Sequence, residues 1–291
     1  MKFGVLMFAT DTSMSVVDLG RAAEERGMES LFLPEHSHIP LSRRTPFPGG
    51  ADLPEEYRRS IDPLVGLAAV ASVTSTLLLG TGVCLVVQRD PIQLAKEIST
   101  LDLISGGRVL CGVGAGWNLE EMADHGTDPA RRFALLRERI EAMKEIWTRE
   151  EAEFHGSLVD FDPMWQWPKP VQRPHPPIML GGHGPRAIER VVDYADEWFP
   201  TAWRDPAELG ARIALLQAMA ADRGRGPVPV GVFGVPRDVA AIERYAAPSA
   251  STAVCSTSPP PGPRRSSGHW TTARPTQPYL DFAGAGPPHL S

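Results

Sequence analysis

The chain has 291 residues, with hydrophobic residues at 42%, charged residues at 22% and a formal net charge of −6. That balance fits a soluble globular protein and excludes a wholly disordered one. No apolar run reaches the roughly 18 residues that span a bilayer, and without a basic stripe there is no electrostatic footprint for nucleic acid. The apolar start, Met1 to Phe8, is too short for a secretory signal. Cys84, Cys111 and Cys255 lie far apart and form neither a zinc knuckle nor a disulfide framework. A reduced, cytoplasmic protein is therefore expected, with neither a nucleic acid nor a membrane as partner.

In chain order, strand-like runs are predicted at Phe3–Phe8, Ser30–Leu33, Leu77–Val87, Arg108–Val113, Ile178–Leu180, Glu197–Phe199 and Val228–Phe233. They are rich in Val, Leu, Ile and Phe and mostly lack in/out alternation, as parallel strands covered on both faces do. Amphipathic helices lie between them: Val16, Leu19 and Ala23 share one face, Leu94, Ile98 and Leu101 another, and Phe133, Leu136, Ile140, Met143 and Trp147 a third. Gly27 and Gly106 suit the left-handed position that closes a helix. Asp62-Pro63, Asp90-Pro91, Asp128-Pro129 and Asp205-Pro206 each place a capping carboxylate before a proline at the first helical position, with Gly184-Pro185 as a variant.

Seven strands, each followed by a helix, over about 247 residues are the pattern of an α/β protein of the (β/α)8 barrel type, which takes about 250 residues; a doubly wound open sheet is the competing architecture. An eighth strand should follow a helix at Arg237–Ala247. Instead, residues 248–291 hold nine of the 29 prolines and only three residues among Ile, Leu, Val and Met. The expected organisation is a folded domain, 1–247, and a Pro/Ser-rich disordered tail, 248–291, with the eighth strand and helix missing or altered. Arg outnumbers Lys 25 to 4, a sign of GC-rich coding, in which a shifted reading frame yields this mixture of Pro, Ser, Arg and Thr; a native disordered extension is the alternative.

In a barrel the chemistry sits just past the carboxyl ends of the strands. Glu35, His36 and His38 follow the second strand and suit proton transfer or metal binding. Gly80-Thr81-Gly82-Val83 in the third run marks a bulge or a close approach of ligand to backbone. The fourth strand ends in Gly112-Val113-Gly114-Ala115-Gly116-Trp117, whose GxG spacing does not make a dinucleotide fingerprint. The fifth leads into Gly181-Gly182-His183-Gly184-Pro185-Arg186, a turn that opens into a helix and exposes amides at the positive end of its dipole, with Arg186 adding charge; that suits a phosphate. For each of these, a purely structural role in packing or turning is the competing reading. Together they suggest a planar cofactor with a phosphate tail.

Four stretches, KFGVLMF, AAEERGMESLFLPEHSHIP, LLLGTGVCLVVQRDPIQLAKEISTLDLISGGRVLCGVGAGWNLEE and WPKPVQRPHPPIMLGGHGPRAIERVVDYADEWFP, resemble the bacterial luciferase-like family of flavin- and deazaflavin-dependent oxidoreductases. Within that family they most resemble a subgroup expected to use coenzyme F420 rather than FMN. The resemblance implies a TIM barrel. It also implies catalytic roles for His36 and Glu35 beside the reactive ring. Thr81, Gly82 and Val83 would form a bulge, often with a non-proline cis peptide, behind the ring; Gly112, Val113 and Gly114 would line its pocket; and Gly181, Gly182, His183 and Gly184 would take the phosphate end, beside Arg186. Some deazaflavin-dependent relatives carry a catalytic glutamate just after the GxG segment, where this chain has Trp117, which leaves His36 as the better proton donor. The implied reaction is hydride transfer to or from a small organic substrate, or oxygenation if the cofactor is FMN. The substrate pocket is expected from residues 39–57, 120–127 and 154–167, and a homodimer is compatible. Two rival readings are a metal-dependent hydrolase using His36, His38 and His183, and an inactive relative whose barrel does not close.

Overall fold

The computed structural model describes residues 2–50, 52–202, 205–235, Tyr245 and the strand Thr252–Thr257. The elements run β1 (Lys2–Met7), α1 (Val16–Glu25), β2 (Ser30–Leu33), α2 (Pro63–Ala71), β3 (Leu78–Thr81), β4 (Cys84–Leu85), α3 (Pro91–Ser105) and β5 (Val109–Gly114). They continue with α4 (Leu119–Asp124), α5 (Arg132–Thr148), β6 (Glu151–His155), β7 (Asp160–Trp165), β8 (Ile178–Gly181), α6 (Ala187–Tyr194), β9 (Glu197–Phe199), α7 (Pro206–Asp222), β10 (Gly231–Val235) and β11 (Thr252–Thr257).

The helix starts follow the capping chemistry at three of the predicted places. Asp62 Oδ1 accepts from Val65 N at 3.0 Å, Asp90 Oδ1 from Gln93 N at 2.9 Å and Asp205 Oδ1 from Ala207 N at 2.9 Å, each followed by proline in the first turn. Asp128-Pro129 and Gly184-Pro185 do not start helices. Asp128 closes a turn onto Ala130 N, α5 begins at Arg132, and α6 begins at Ala187. Gly106 caps α3 at φ +70°, where only a residue without Cβ sits unstrained. On α5 the buried stripe runs through Leu136, Ile140, Met143 and Trp147 as predicted, but Phe133 is out of the core, beneath the guanidinium groups of Arg190 and Arg132.

The strands pair in the order β10-β11-β1-β2-β3-β5-β8-β9, all parallel, with β4 added beside β5. Parallel bridges Trp198↔Val230 and Thr201↔Phe233 join β9 to β10, so the pairing runs round a TIM barrel. The eighth position is taken by Thr252–Thr257, which pairs with β1 on one side and β10 on the other. Six residues of the expected disordered tail thus form a strand, whose only apolar run is Ala253-Val254-Cys255. With it in place, neither β1 nor β10 is left as an open edge. The proposed frameshift, the helix expected at 237–247 apart from Tyr245, and the rest of the tail lie outside the described residues.

Two cores result. Between strands and helices lies the larger one, built on Leu31, Leu33, Leu67, Leu79, Leu94, Ile98, Ile140 and Trp147. Inside the barrel Leu6, Phe32, Met179 and Phe199 pack together, with Phe32–Phe199 and Phe199–Phe233 ring centroids 4.8 and 4.9 Å apart. Those side chains fill the barrel interior, and the loops after the strand carboxyl ends carry the polar groups. The hairpin β6–β7 was not predicted, because its exposed strands give no continuous apolar run. It packs on α5, where Glu138 receives Leu158 N and Val159 N, and reaches α3 through Gln166 Nε2 to Ile92 O.

Candidate functional site

The barrel strands all point the same way, so Met7, Leu33, Thr81, Gly114, Gly181 and Phe199 end at one rim. The Gly82–Val83 peptide is cis, as the resemblance implies. Val83 is the point at which three loops meet. A Cβ added at Gly114 would stand 2.8 Å from Val83 Cγ2, and one at Gly181 3.2 Å from Val83 Cγ1. The bulge after β3 is therefore pressed against the ends of β5 and β8, and Gly82, Gly114 and Gly181 border one region. Gly112 answers to packing: a Cβ there would stand 1.9 Å from the Thr81 carbonyl oxygen, and Thr81 Oγ1 donates to Gly112 O at 2.6 Å. Val113 is fully buried on β5, in the core outside the barrel.

His36 stands on this rim. Its Nδ1 lies 2.8 Å from Glu121 Oε2, and the other oxygen of Glu121 accepts from Ser37 N at 3.1 Å. Both side chains are buried, 5% and 1% exposed. A buried carboxylate on Nδ1 fixes the proton there in the neutral ring and leaves Nε2 as the basic nitrogen. The ring is walled by Tyr57 and Trp117, with centroids 5.3 and 5.7 Å away, and Phe47 closes on Tyr57 and Trp117 at 5.1 and 5.8 Å. Burial pushes the Tyr57 phenol up to about 12, with a smaller push from Glu56, so it stays protonated at neutral pH. The 39–57 loop is pinned to α4, since Glu120 Oε1 accepts from Arg44 Nε at 3.3 Å and Thr45 N at 3.0 Å.

Glu35, predicted beside His36, is held elsewhere. Its carboxylate accepts from Leu85 N at 2.6 Å and Arg89 Nε at 2.5 Å, and Arg89 also reaches Asp62 and Glu97. Despite burial, which works against the charged form, Glu35 and the neighbouring acids hold the Arg89 guanidinium above its ordinary pKa. His38 joins an outer cluster: its Nε2 meets Asp124 Oδ2 at 2.9 Å, and Ser37 Oγ bridges His38 Nδ1 and His125 Nε2 at 2.9 and 2.7 Å. His183 lies across the rim, with Nδ1 3.3 Å from Thr201 Oγ1. The three histidines of the metal reading do not converge, and the described residues hold no group of three or more His, Cys, Asp or Glu fit for a metal.

Gly182, His183, Gly184 and Arg186 form the exposed entry to α6. Gly182 has φ +107°, a conformation that disfavours side chains, its carbonyl accepts from Trp198 Nε1 at 2.9 Å, and open space surrounds both Gly182 and Gly184. No side chain caps α6; Ala187 N donates to Gly184 O at 2.9 Å, and Arg186 stands exposed at the helix entry. Of the three predicted pocket segments, 39–57 and 120–127 meet over His36, whereas 154–167 is the hairpin against α5 and α3, with Trp165 and Trp167 exposed. Glu121 is the residue that sequence reasoning missed. It stands three residues after the cap Asn118, where a glutamate ordinarily folds back on its own helix.

No described helix is long and apolar enough to cross a membrane. The chain is 44% identical over 233 residues, 79% of its length and 82% of the other's, to the uncharacterized protein Rv0953c of Mycobacterium tuberculosis. It is 31% identical over 194 residues, 64% of this chain and 53% of the other, to the F420-dependent hydroxymycolic acid dehydrogenase of the same species. The FMNH2-dependent dimethylsulfone monooxygenase of Pseudomonas putida is 32% identical over 153 residues, 51% of this chain and 42% of that one. Among solved structures, the coenzyme F420-dependent tetrahydromethanopterin reductase of Methanopyrus kandleri superposes with a TM-score of 0.68 at 16% identity, covering 88% of this chain and 93% of its own. The luciferase-like monooxygenase family matches residues 1–287, and with that match the barrel and its rim have their kin: the chain belongs to the luciferase-like family of oxidoreductases, whose members include F420- and FMNH2-dependent enzymes.

Proposed function

We propose that the protein is an F420-dependent oxidoreductase that moves a hydride to or from a small organic substrate at the rim around His36. The observation that carries this reading is the His36–Glu121 pair, buried and oriented, on the same rim as the Val83 bulge and the open loop before α6. Those residues fit a flat ring with an anionic tail. Val83 offers an apolar wall between Gly114 and Gly181, and the uncapped start of α6 with Gly182, Gly184 and Arg186 leaves room and positive potential for a phosphate.

When bound, the deazaflavin supplies the two-electron hydride carrier and disfavours oxygen activation. The protein does the rest. Val83, Gly114 and Gly181 would hold one face of a bound ring and leave the other to the substrate; such positioning is worth about 7–11 kcal/mol in well-aligned cases. Nε2 of His36 takes or returns the proton that accompanies the hydride, while Glu121 fixes the imidazole and balances its charge when it is protonated; general acid–base help of this kind contributes about 10²–10⁴-fold. Glu35 serves as a positioning residue, because both its oxygens are engaged by Leu85 and Arg89.

Fluorescence titration of the purified protein with F420 and with FMN tests the reading. Tight binding of F420 with weak binding of FMN supports it. Binding of FMN alone moves the assignment to the second reading, a monooxygenase, which the relation to the dimethylsulfone enzyme favours. Binding of neither overturns both. His36→Gln should keep the cofactor and lose turnover.

A further inference from the structure

Among the described residues, the Arg43 guanidinium on the rim makes a cation–π contact but no ion pair. Arg43 holds φ +47°, unusual for a residue with a side chain, its guanidinium carbon lies 5.9 Å from the Trp117 ring centroid, and its Nη1 is buried without a hydrogen-bond acceptor. Among the described residues no carboxylate pairs with it; nearby Glu120 is engaged instead by Arg44 and by Thr45 N. Arg43 as a whole is half-buried, but a guanidinium nitrogen shut off from water is costly unless an acceptor meets it. The other face of this position is aromatic: Trp117 also borders Phe47 and His36, and Phe47 borders Tyr57. The Arg43 guanidinium and the His36 imidazole thus both border the Trp117 indole.

We propose that Arg43 is the substrate anchor of this site and that the substrate is a flat, largely apolar organic acid. Its carboxylate pairs with the guanidinium, and its body lies along Phe47, Tyr57 and Trp117, so that the reacting carbon is presented toward His36. The proposal rests on the oxidoreductase reading for its reaction, but the binding it describes is measurable without any cofactor.

Isothermal titration with 2-naphthoate and with its neutral isostere 2-naphthamide tests it. The wild-type protein should prefer the acid, and Arg43→Gln should weaken the acid by about ten- to a hundredfold, the worth of one desolvated charge-assisted pair, while leaving the amide unchanged. Arg43→Lys should restore part of the preference, which guards against a merely misfolded variant. Equal binding of acid and amide by the wild type, no binding of either, or an Arg43→Gln protein that keeps the preference would each overturn the proposal. The same variant titrated with F420 and FMN separates the two sources of an anion. Unchanged cofactor affinity supports a substrate carboxylate, and a loss confined to the cofactor assigns Arg43 to an acidic tail and overturns the proposal. Should neither flavin bind the wild type while naphthoate still does, the cofactor reading fails and the anchor stands.

Discussion

Gly112→Ala isolates what a glycine does on the rim. The added methyl group would stand 1.9 Å from the Thr81 carbonyl oxygen, about 1.5 Å short of ordinary contact, and the neighbour is backbone that cannot swing away. Relief requires β3 and β5 to part where Thr81 Oγ1 now bonds Gly112 O at 2.6 Å. Overpacking of this kind costs about 1–3 kcal/mol, and the lost hydrogen bond about 1 more. A total of about 2–4 kcal/mol corresponds to a fall in Tm of about 4–12 °C for a domain of this size. Urea unfolding followed by circular dichroism reads the change as a lowered midpoint with an unaltered slope. Because Thr81 leads directly into the Gly82–Val83 bulge, F420 or FMN affinity should fall with stability. A Gly112→Ala protein that melts within about 1 °C of wild type would refute the packing argument.

Gly184→Ala is the complementary case: a methyl group there meets open space, so Tm should hold while affinity for the phosphate-bearing cofactor drops, measured by fluorescence titration. Arg89→Met strands the buried Glu35 carboxylate and should cost about 3–5 kcal/mol in urea unfolding; the double variant with Glu35→Gln should recover part of that loss. Glu24 accepts from Ser75 N, Thr76 N and Leu77 N, and those hydrogen bonds hold its carboxyl at about 2, below the ordinary 4.5. A depressed carboxyl stabilises the fold above its unfolded pKa and loses that effect as pH falls through the folded one. The stability gap between wild type and Glu24→Gln should therefore be full at pH 6 and narrower at pH 3, and a gap that widens on acidification would contradict the sign.

Much of the barrel was legible because parallel strands buried on both faces must be apolar throughout, and Ser30–Leu33, Arg108–Val113 and Glu197–Phe199 need no context to be recognised. The structure keeps them within a residue or two. Legibility fails where sequence neighbours do not decide the outcome. Asp128-Pro129 has the grammar of a helix start, yet its carboxylate closes a turn and the helix waits for Arg132. The hairpin Glu151–Trp165 is half-exposed and registers as loop. Thr252–Thr257 has a short apolar run, Ala253-Val254-Cys255, inside a proline-rich stretch, and is a strand because β1 and β10 each offer it a line of backbone partners.

The site shows the same division. His36 was visible from its place after a strand, as was the glycine turn before α6. Glu121 was not, since its partner is 85 residues away and its position in the helix suggests a local cap. Glu35 looked like an acid beside the reaction, but Arg89, 54 residues later, engages it. Charge partners across the rim are set by how the barrel curls, which no local spacing records.

The seam between β10, β11 and β1 ties the earliest part of the chain to the latest described part. During synthesis β1 must wait, one flank bare, until some 250 further residues have been made. Exposed parallel edges invite pairing with other chains, so the growing polypeptide is most vulnerable late, with nearly all its helices docked. Loss of this seam should therefore show first as poor soluble yield, before any change in the chemistry at the mouth.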